Sequence, residues 1–285
     1  MTTVIIVIIA VVLLAALAKT LMKGSSSGKK GASSDSDKSA SSSEKDKKSS
    51  SVIKKVMSMS ADIGVKSTDL FRAPPEPKFF SGRKEEMKII LAQASTSPAV
   101  VWISGFSGVG KTCLAITMIG KLSPQFPGKC LFEDMQGENP TPPSAEDIMC
   151  GIILKFYPSQ ILPSDNKKLA KLYRVALKAH KGILILDDAF NTDQVKPLIR
   201  PPSWLLMFTS TKPILIPKTT AINLKPLEII DAYTLLNQLA PEISPAIKEI
   251  EPICKGICLS LEVIGRLFAI NSTMAPDYFF QKFSE

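Results

Sequence analysis

The sequence predicts an α/β protein in which a parallel sheet of five strands precedes a small helical bundle, with a transmembrane helix at the N-terminus. Three observations carry this prediction. Over residues 98–122 an apolar strand pattern runs into a glycine-rich loop and then into an apolar helix pattern. A second apolar strand pattern, residues 182–186, ends in two aspartates. From residue 228 onward only helix patterns follow.

The glycine-rich loop is residues 105–112, GFSGVGKT, which match G-x-x-x-x-G-K-[ST] at every fixed position. The apolar run of residues 100–103 precedes it, and a helical pattern follows it. Glycines allow the backbone conformations that turn successive N–H groups toward a phosphate. A glycine-rich turn with a surface lysine is the alternative, but the flanking strand and helix favour a phosphate-binding loop (P-loop). We therefore predict binding of a nucleoside diphosphate or triphosphate.

Each part of the loop has its own predicted role. The Lys111 ammonium would bind the β- and γ-phosphates, and the Thr112 hydroxyl would ligate Mg²⁺. The start of the following helix adds partial positive charge. The predicted nucleotide-binding residues here are Gly105, Phe106, Ser107, Gly108, Val109, Gly110, Lys111, Thr112 and Cys113.

The second chemical feature is the acidic end of residues 182–188, GILILDD. An apolar run without alternation is typical of a central parallel strand covered on both faces, and ligands bind at the carboxyl ends of such strands. We predict that Asp187 holds Mg²⁺ through water and that Asp188 is catalytic, orienting or deprotonating an attacking water. An acidic turn without function is the alternative.

The remaining elements follow in chain order. Further strands are predicted at residues 129–136, 203–210 and 220–224, and helices at 83–94, 144–157 and 167–180. Ser144 and Asp147 have the spacing of an N-terminal cap. The bundle comprises predicted helices at residues 228–239, 244–253, 258–270 and 276–283. The change near Pro226 divides the chain into a nucleotide-binding domain, 71–226, and a helical domain, 227–285.

The N-terminus contains an unbroken apolar run, residues 4–18. Extended to residues 2–22 it is long enough for a single transmembrane anchor. A cleaved signal peptide and a buried helix are the alternatives. Lysines follow the span and none precedes it, so the N-terminus is predicted outside and the nucleotide-binding domain in the cytoplasm.

Residues 23–60 are rich in serine and lysine, and they predict a disordered linker. The net charge of +9 is concentrated in residues 1–60, and the remaining chain is nearly balanced, so no nucleic-acid partner is expected. Five cysteines without a C-x-x-C pair, together with a single histidine, argue against zinc and suit a reducing compartment.

The order of these motifs resembles the NB-ARC branch of the STAND nucleotide-binding proteins, over residues 71–268. Residues 74–83, PPEPKFFSGR, are similar to the family's leading segment, and residues 254–261, CKGICLSL, to its glycine-leucine-proline-leucine motif. The resemblance implies ATP/ADP with Mg²⁺ as cofactors and adenine contacts near Phe80 and Arg83. It also implies signal transduction or a defence response, through protein partners or self-association.

Two residues depart from the family pattern. Thr209 and Ser210 fall where the family has its nucleotide-sensing strand end, but the arginine that usually follows them is replaced by Thr211, with Lys212 next. Cys258 stands where the family has proline. No winged-helix domain follows the helical region in this sequence, so the resemblance does not carry the family's autoinhibition to this chain.

These features predict a membrane-tethered ATP/ADP-binding switch or signalling scaffold with weak ATPase activity at most. A conventional membrane-anchored ATPase or P-loop kinase is the alternative, although nothing in the sequence supplies an acceptor-binding lid. A module that has lost nucleotide binding is a third reading, against which the complete GKT and DD motifs argue.

Overall fold

The computed structural model describes residues 74–96, 99–126, 130–199 and 203–270. It contains five strands, which are β1 Ala99–Gly105, β2 Cys130–Asp134, β3 Gly182–Asp187, β4 Trp204–Ser210 and β5 Thr220–Leu224. They form one parallel sheet in the order β2-β3-β4-β1-β5. Every residue of β4, and all but the last of β3, is buried, which explains why both read as unbroken apolar runs. The prediction of an α/β fold with five parallel strands is confirmed.

Helices cover both faces of the sheet and continue beyond its last strand. One core lies between the sheet and the first two helices, and the other lies between the sheet and the third and fourth. Alternate residues of β3 enter opposite cores, Ile183 and Ile185 on one face and Leu184 and Leu186 on the other. The helices are α1 Lys84–Ala94, α2 Lys111–Leu122, α3 Ala145–Phe156, α4 Asn166–Lys178, α5 Thr192–Val195, α6 Ile229–Leu239, α7 Ile247–Cys254 and α8 Cys258–Ile270.

The helix ends follow local chemistry. The Ser144 hydroxyl accepts a hydrogen bond from the Asp147 N–H, and the Asp147 carboxylate accepts one from the Ser144 N–H, which confirms the predicted cap. α1 begins one residue later than predicted, because Arg83 has a left-handed backbone with φ 64°. α7 was predicted from residue 244, but a 3₁₀ turn, Ser244–Ala246, comes first. The short α5 was not predicted.

Three predictions fall on residues outside the described ones: the anchor at 2–22, the linker at 23–60 and the helix at 276–283. Among the helices that the structure does describe, none has the length and apolar character needed to cross a bilayer. The boundaries of the two predicted domains remain predictions.

Candidate nucleotide-binding site

The loop after β1 has a backbone that only glycine adopts readily. Gly105, Gly108 and Gly110 have φ values of 146°, 76° and 100°. A Cβ at Gly105 would lie 2.7 Å from the Leu224 carbonyl oxygen, so the end of β5 also excludes a side chain there. The three glycines therefore shape the loop, with Gly105 packed closely against the end of β5 and Gly108 and Gly110 facing the start of α8.

This loop leads directly into α2, which begins at Lys111. Its N-cap is Gly110, which offers no side-chain cap, and no acidic residue occupies the first turn. The first N–H groups of the helix are consequently available to an external acceptor, and the helix dipole favours an anion there. This is the backbone environment that a phosphate requires.

Lys111 is held inside the loop and is only 8% exposed. Its Nζ donates hydrogen bonds to the carbonyl oxygens of Gly105 at 3.0 Å and Phe106 at 2.8 Å. Burial lowers the pKa of Lys111, and the nearby carboxylates of Asp188, Asp187 and Glu138 oppose that shift. The side chain is therefore a positioned cation beside the acidic end of β3.

The two predicted metal ligands lie together. The Thr112 hydroxyl contacts both carboxylate oxygens of Asp187, at 2.9 and 3.1 Å. The Thr209 hydroxyl, from the end of β4, donates a hydrogen bond of 2.7 Å to the same carboxylate. Burial raises the pKa of Asp187, and the bonds from Thr209 and Thr112 counteract it. A hydroxyl and a partly buried carboxylate in contact form a donor set that fits Mg²⁺.

Asp188 occupies a constrained turn with a left-handed φ of 57°. Its N–H donates to the Thr209 hydroxyl at 2.8 Å, and its carbonyl oxygen accepts from the Gly137 N–H at 2.7 Å. One carboxylate oxygen accepts from the Glu138 N–H at 3.2 Å. These bonds fix the backbone of the predicted catalytic residue at the same edge of the sheet as Lys111.

A cavity of about 280 Å³ opens beside the start of α2. It is surrounded by the proline-rich segment of residues 74–82 together with Arg83, by the start of α2, and by the two helices α6 and α8. A cavity with mostly apolar walls and a few polar groups suits a nucleobase. Its walls are Pro77, Lys78, Phe79, Phe80, Ser81, Arg83, Gly110, Cys113, Leu235, Leu239, Cys258, Glu262 and Arg266.

Phe80 and Arg83, the two predicted adenine contacts, both line this cavity. The Phe80 backbone exchanges hydrogen bonds with the Gln238 side chain, at 3.3 and 3.5 Å, which joins the proline-rich segment to α6. The buried Arg83 guanidinium donates to the Val109 carbonyl oxygen at 2.9 Å and pairs with Glu86 at 3.4 Å. Arg83 therefore holds the phosphate loop against α1.

The opposite wall begins at Cys258, the first residue of α8. Its Sγ lies 3.2 Å from the Val109 carbonyl oxygen, the same oxygen that Arg83 contacts. The next N–H, of Leu259, donates to the Gly108 carbonyl oxygen at 3.0 Å. The start of α8 is thus bonded to the phosphate loop although cysteine replaces the expected proline.

The predicted nucleotide-binding residues differ in whether their side chains are exposed to a ligand. The Val109 side chain is fully buried in the core, so only its backbone is available to a ligand, whereas the Phe106 side chain is 73% exposed. Ser107 and Cys113 are also exposed. The structure brings all of them to the loop and to the start of α2.

The end of β4 lacks an arginine, and Lys212 does not replace it in the structure. Its Nζ lies 4.0 Å from the centre of the Phe190 ring. The Ser210 hydroxyl accepts from the Trp102 indole at 2.8 Å and donates to the Lys212 carbonyl oxygen at 2.7 Å. The turn after β4 is therefore fixed by contacts other than those of an arginine sensor.

Several residues that hold the site together or line the cavity were not predicted from the sequence. Thr209 was noted only as a sensing position, whereas it binds both Asp187 and the Asp188 backbone. Gln238 has no sequence signal. The same is true of the cavity residues of α6 and α8, Leu235, Leu239, Glu262 and Arg266. Their roles depend on how the helices pack.

Comparison with known proteins gives a consistent result. The NB-ARC domain family matches residues 81–242. The regulatory protein AfsR of Streptomyces coelicolor is 29% identical over 130 residues, which cover 42% of this chain and 13% of AfsR. The disease resistance protein RPP2A of Arabidopsis thaliana is 34% identical over 122 residues, 42% of this chain and 9% of RPP2A. The chain thus spans a small part of these relatives.

A solved structure shares the fold. The Walker-type ATPase paby2304 of Pyrococcus abyssi superposes with a TM-score of 0.53 at 14% identity, covering 75% of each chain. The family match takes in more than half of the 285 residues and contains the phosphate loop, the acidic strand end and the first helix of the bundle. This chain is therefore a member of the NB-ARC family.

Proposed function

We propose that this protein is an ATP/ADP-binding switch or signalling scaffold that is tethered to a membrane and hydrolyses ATP slowly or not at all. The observation that carries the proposal is the continuity of the site. The base-sized cavity opens at Gly110 and Cys113, where the phosphate loop and α2 meet. A nucleotide with its base in the cavity would place its phosphates over the loop.

The chain's own residues would divide the binding among them. Backbone N–H groups at the start of α2 and the Lys111 ammonium would bind the phosphates. Thr112 and Asp187 would hold Mg²⁺, which neutralises phosphate charge when bound. For Lys111 this requires exchange of its bonds to the Gly105 and Phe106 carbonyl oxygens for bonds to phosphate.

Slow hydrolysis is proposed because Thr211 stands at the position where the family has its sensing arginine. Phosphoryl transfer is accelerated by a positive group that meets the charge developing on the γ-phosphate. Thr211 cannot supply such a charge, and Lys212 is stacked on Phe190. The bound nucleotide, ATP or ADP, then distinguishes the two states of the switch. Such a switch fits the regulatory role named for AfsR and the resistance role named for RPP2A. Partners are proposed to be proteins, including copies of this chain.

A turnover assay on the purified full chain tests this proposal. We expect ATP to bind stoichiometrically and to be hydrolysed far below one turnover per second, the lower end of ordinary enzymes. Brisk multiple turnover without a partner would favour the alternative, a conventional membrane-anchored ATPase. Phosphate transfer to a small acceptor would favour a P-loop kinase.

Membrane tethering rests on the apolar run of residues 4–18, extended to a span of 2–22, and on the lysines that follow the run. The full chain is expected to stay in the membrane fraction after alkaline carbonate extraction, whereas a chain starting at Ala61 is expected in the supernatant. With the nucleotide-binding domain in the cytoplasm, protease would reach it only after the membrane is opened. A mature N-terminus at Lys19 would show cleavage and would contradict the anchor.

A further inference from the structure

α4 carries a continuous positive face that the nucleotide site does not use. At 3.6 residues per turn, four of its cations fall within an arc of about 60° around the helix. All four are exposed. We call them the basic face of α4: Lys167, Lys171, Arg174 and Lys178. Lys168 lies beside this face, and Lys181 follows the helix.

The opposite side of α4 is fixed in the core. Leu169, Tyr173, Ala176 and Leu177 are all at most 3% exposed. The Tyr173 hydroxyl donates to the Leu198 carbonyl oxygen at 3.0 Å, which adds a directional bond to this packing. Because the helix cannot rotate, its basic face points to solvent permanently. The four cations form a rigid row about 16 Å long.

Neighbouring acids do not neutralise this row. Residues 166–181 contain no acidic side chain. Two acidic residues contact α4, both at its first turn. Asp165 caps the helix, and the Glu146 carboxylate accepts a hydrogen bond of 3.1 Å from the Asn166 side chain. In the part of the chain that the structure describes, none of the four cations belongs to an ion pair. The charge is therefore available to an external anionic surface.

The loop that leads into α4 adds an apolar side chain. Ile161 is 87% exposed, the highest value among the large apolar residues that the structure describes. An exposed isoleucine that lies close in sequence to a row of cations suits a lipid surface, because it gains free energy by entering the boundary of the acyl chains. A nucleic-acid backbone offers it no comparable environment. A planar surface also matches a straight row better than a curved groove does.

We propose that the basic face of α4 binds the anionic lipid surface of a membrane, with Ile161 inserting beside it. The interaction does not depend on nucleotide binding or on the N-terminal anchor. Lys and Arg side chains would contact lipid phosphates and carboxylates, and each cation near such a surface strengthens association about fivefold. Binding would hold the nucleotide-binding domain in one orientation on the bilayer.

Lysine labelling of the full chain, read residue by residue by mass spectrometry, tests the proposal. Vesicles of phosphatidylcholine with phosphatidylserine are compared with vesicles of phosphatidylcholine alone. The site-resolved readout separates this face from residues 1–60, which can bind vesicles independently. We expect Lys171 and Lys178 to be protected only on anionic vesicles, while the exposed Lys121 and Lys248 stay reactive on both.

In the wild type, Lys167, the remaining lysine of the face, is also expected to be protected on anionic vesicles. The full-chain variant with Lys171→Gln, Arg174→Gln and Lys178→Gln is expected to lose the protection of Lys167, because three of the four cations that attract the surface are gone. A matched variant with glutamine at Lys121, Lys218 and Lys248 is expected to behave as wild type. Thermal unfolding of both variants checks that they are folded.

Three results would overturn the proposal. The first is equal reactivity of Lys171 on both kinds of vesicle. The second is equal protection of Lys121 and Lys248, because the domain would then touch lipid without a preferred face. The third is protection of the same lysines by a DNA or RNA duplex but not by anionic vesicles, which would assign the face to nucleic acid.

Discussion

The phosphate side and the base side of the candidate site are built in different ways. The phosphate side consists of the loop after β1 and the ends of β3 and β4, which the parallel sheet brings to one edge. The base side consists of the proline-rich segment, α6 and α8, which are far apart in sequence and are joined by side-chain contacts. The phosphate side therefore depends on backbone geometry, and the base side on helix packing.

This difference explains where the family pattern is kept. The loop needs glycine at three left-handed positions and a cation at its end, so its residues have few substitutes. On the base side, the Leu259 N–H donates to the Gly108 carbonyl oxygen with Cys258 standing where the family has proline. Packing of this kind accommodates substitutions as long as the helix ends stay in place.

Lys111→Ala is expected to have the largest effect on binding. Removing a cation that bonds phosphate should lower the affinity for ATP and ADP by about tenfold to a hundredfold, since a charge-assisted hydrogen bond contributes about 1.5–3 kcal/mol. Isothermal titration measures this. Lys121→Ala, on the exposed end of the same helix, is the control and should bind normally. Wild-type affinity in Lys111→Ala would show that Lys111 does not bind the nucleotide phosphates.

Gly256→Ala tests the base side through stability. Gly256 has φ 65°, and a Cβ there would lie 2.3 Å from the Leu227 carbonyl oxygen, at the junction between α6 and α8. We expect a loss of about 3 kcal/mol in unfolding free energy. Gly151→Ala in α3 meets no atom within 4 Å and should stabilise by up to about 1 kcal/mol. Equal denaturant midpoints for the two variants would show that the junction between Gly256 and Leu227 accommodates a Cβ without loss of stability.

Asp188→Asn separates binding from chemistry on the phosphate side. Asparagine tolerates the left-handed backbone at φ 57° and keeps an oxygen for the Glu138 N–H, so nucleotide affinity should stay within about threefold. Single-turnover hydrolysis of bound ATP should fall by about a hundredfold, because the amide cannot accept a proton. Asp193→Asn, an exposed acid outside the site, serves as the control. Hydrolysis at the wild-type rate would exclude Asp188 as the base.

Cys258→Pro should have the smallest effect. Cys258 is the first residue of α8, a position where proline is well accommodated. Unfolding free energy should change by less than about 1 kcal/mol, and ADP affinity by less than about threefold. Leu259→Pro is the matched contrast, because it removes the N–H that bonds Gly108. A Cys258→Pro variant as unstable as Leu259→Pro would mean that the thiol contact with Val109 matters more than the helix end.

Sequence patterns predicted the structural elements that are determined by residues close together in sequence. The loop, the buried runs of β3 and β4 and the cap at Ser144 each leave a contiguous signal. The short α5 leaves none, because four residues are too few for a helical period. The start of α7 was displaced because the residues before it, which include Pro245, form a 3₁₀ turn.

The candidate site follows the same rule. Lys111, Thr112 and Asp187 were assigned from motifs, and the structure brings them together. The bond from Thr209 to Asp187 depends on β4 lying next to β3, which composition and spacing do not encode. Gln238 meets Phe80 across 158 positions of sequence, so its contribution is visible only in the folded chain.

The nucleotide that copurifies with the full chain tests the central claim most directly. The chain is purified in detergent without added nucleotide and denatured, and the released small molecules are identified by chromatography and mass spectrometry. We expect ADP or ATP in stoichiometric amount from the wild type and none from Lys111→Ala. A wild-type chain that releases no nucleotide, and binds neither ATP nor ADP when either is added with Mg²⁺, would show that this protein is not a nucleotide-binding switch.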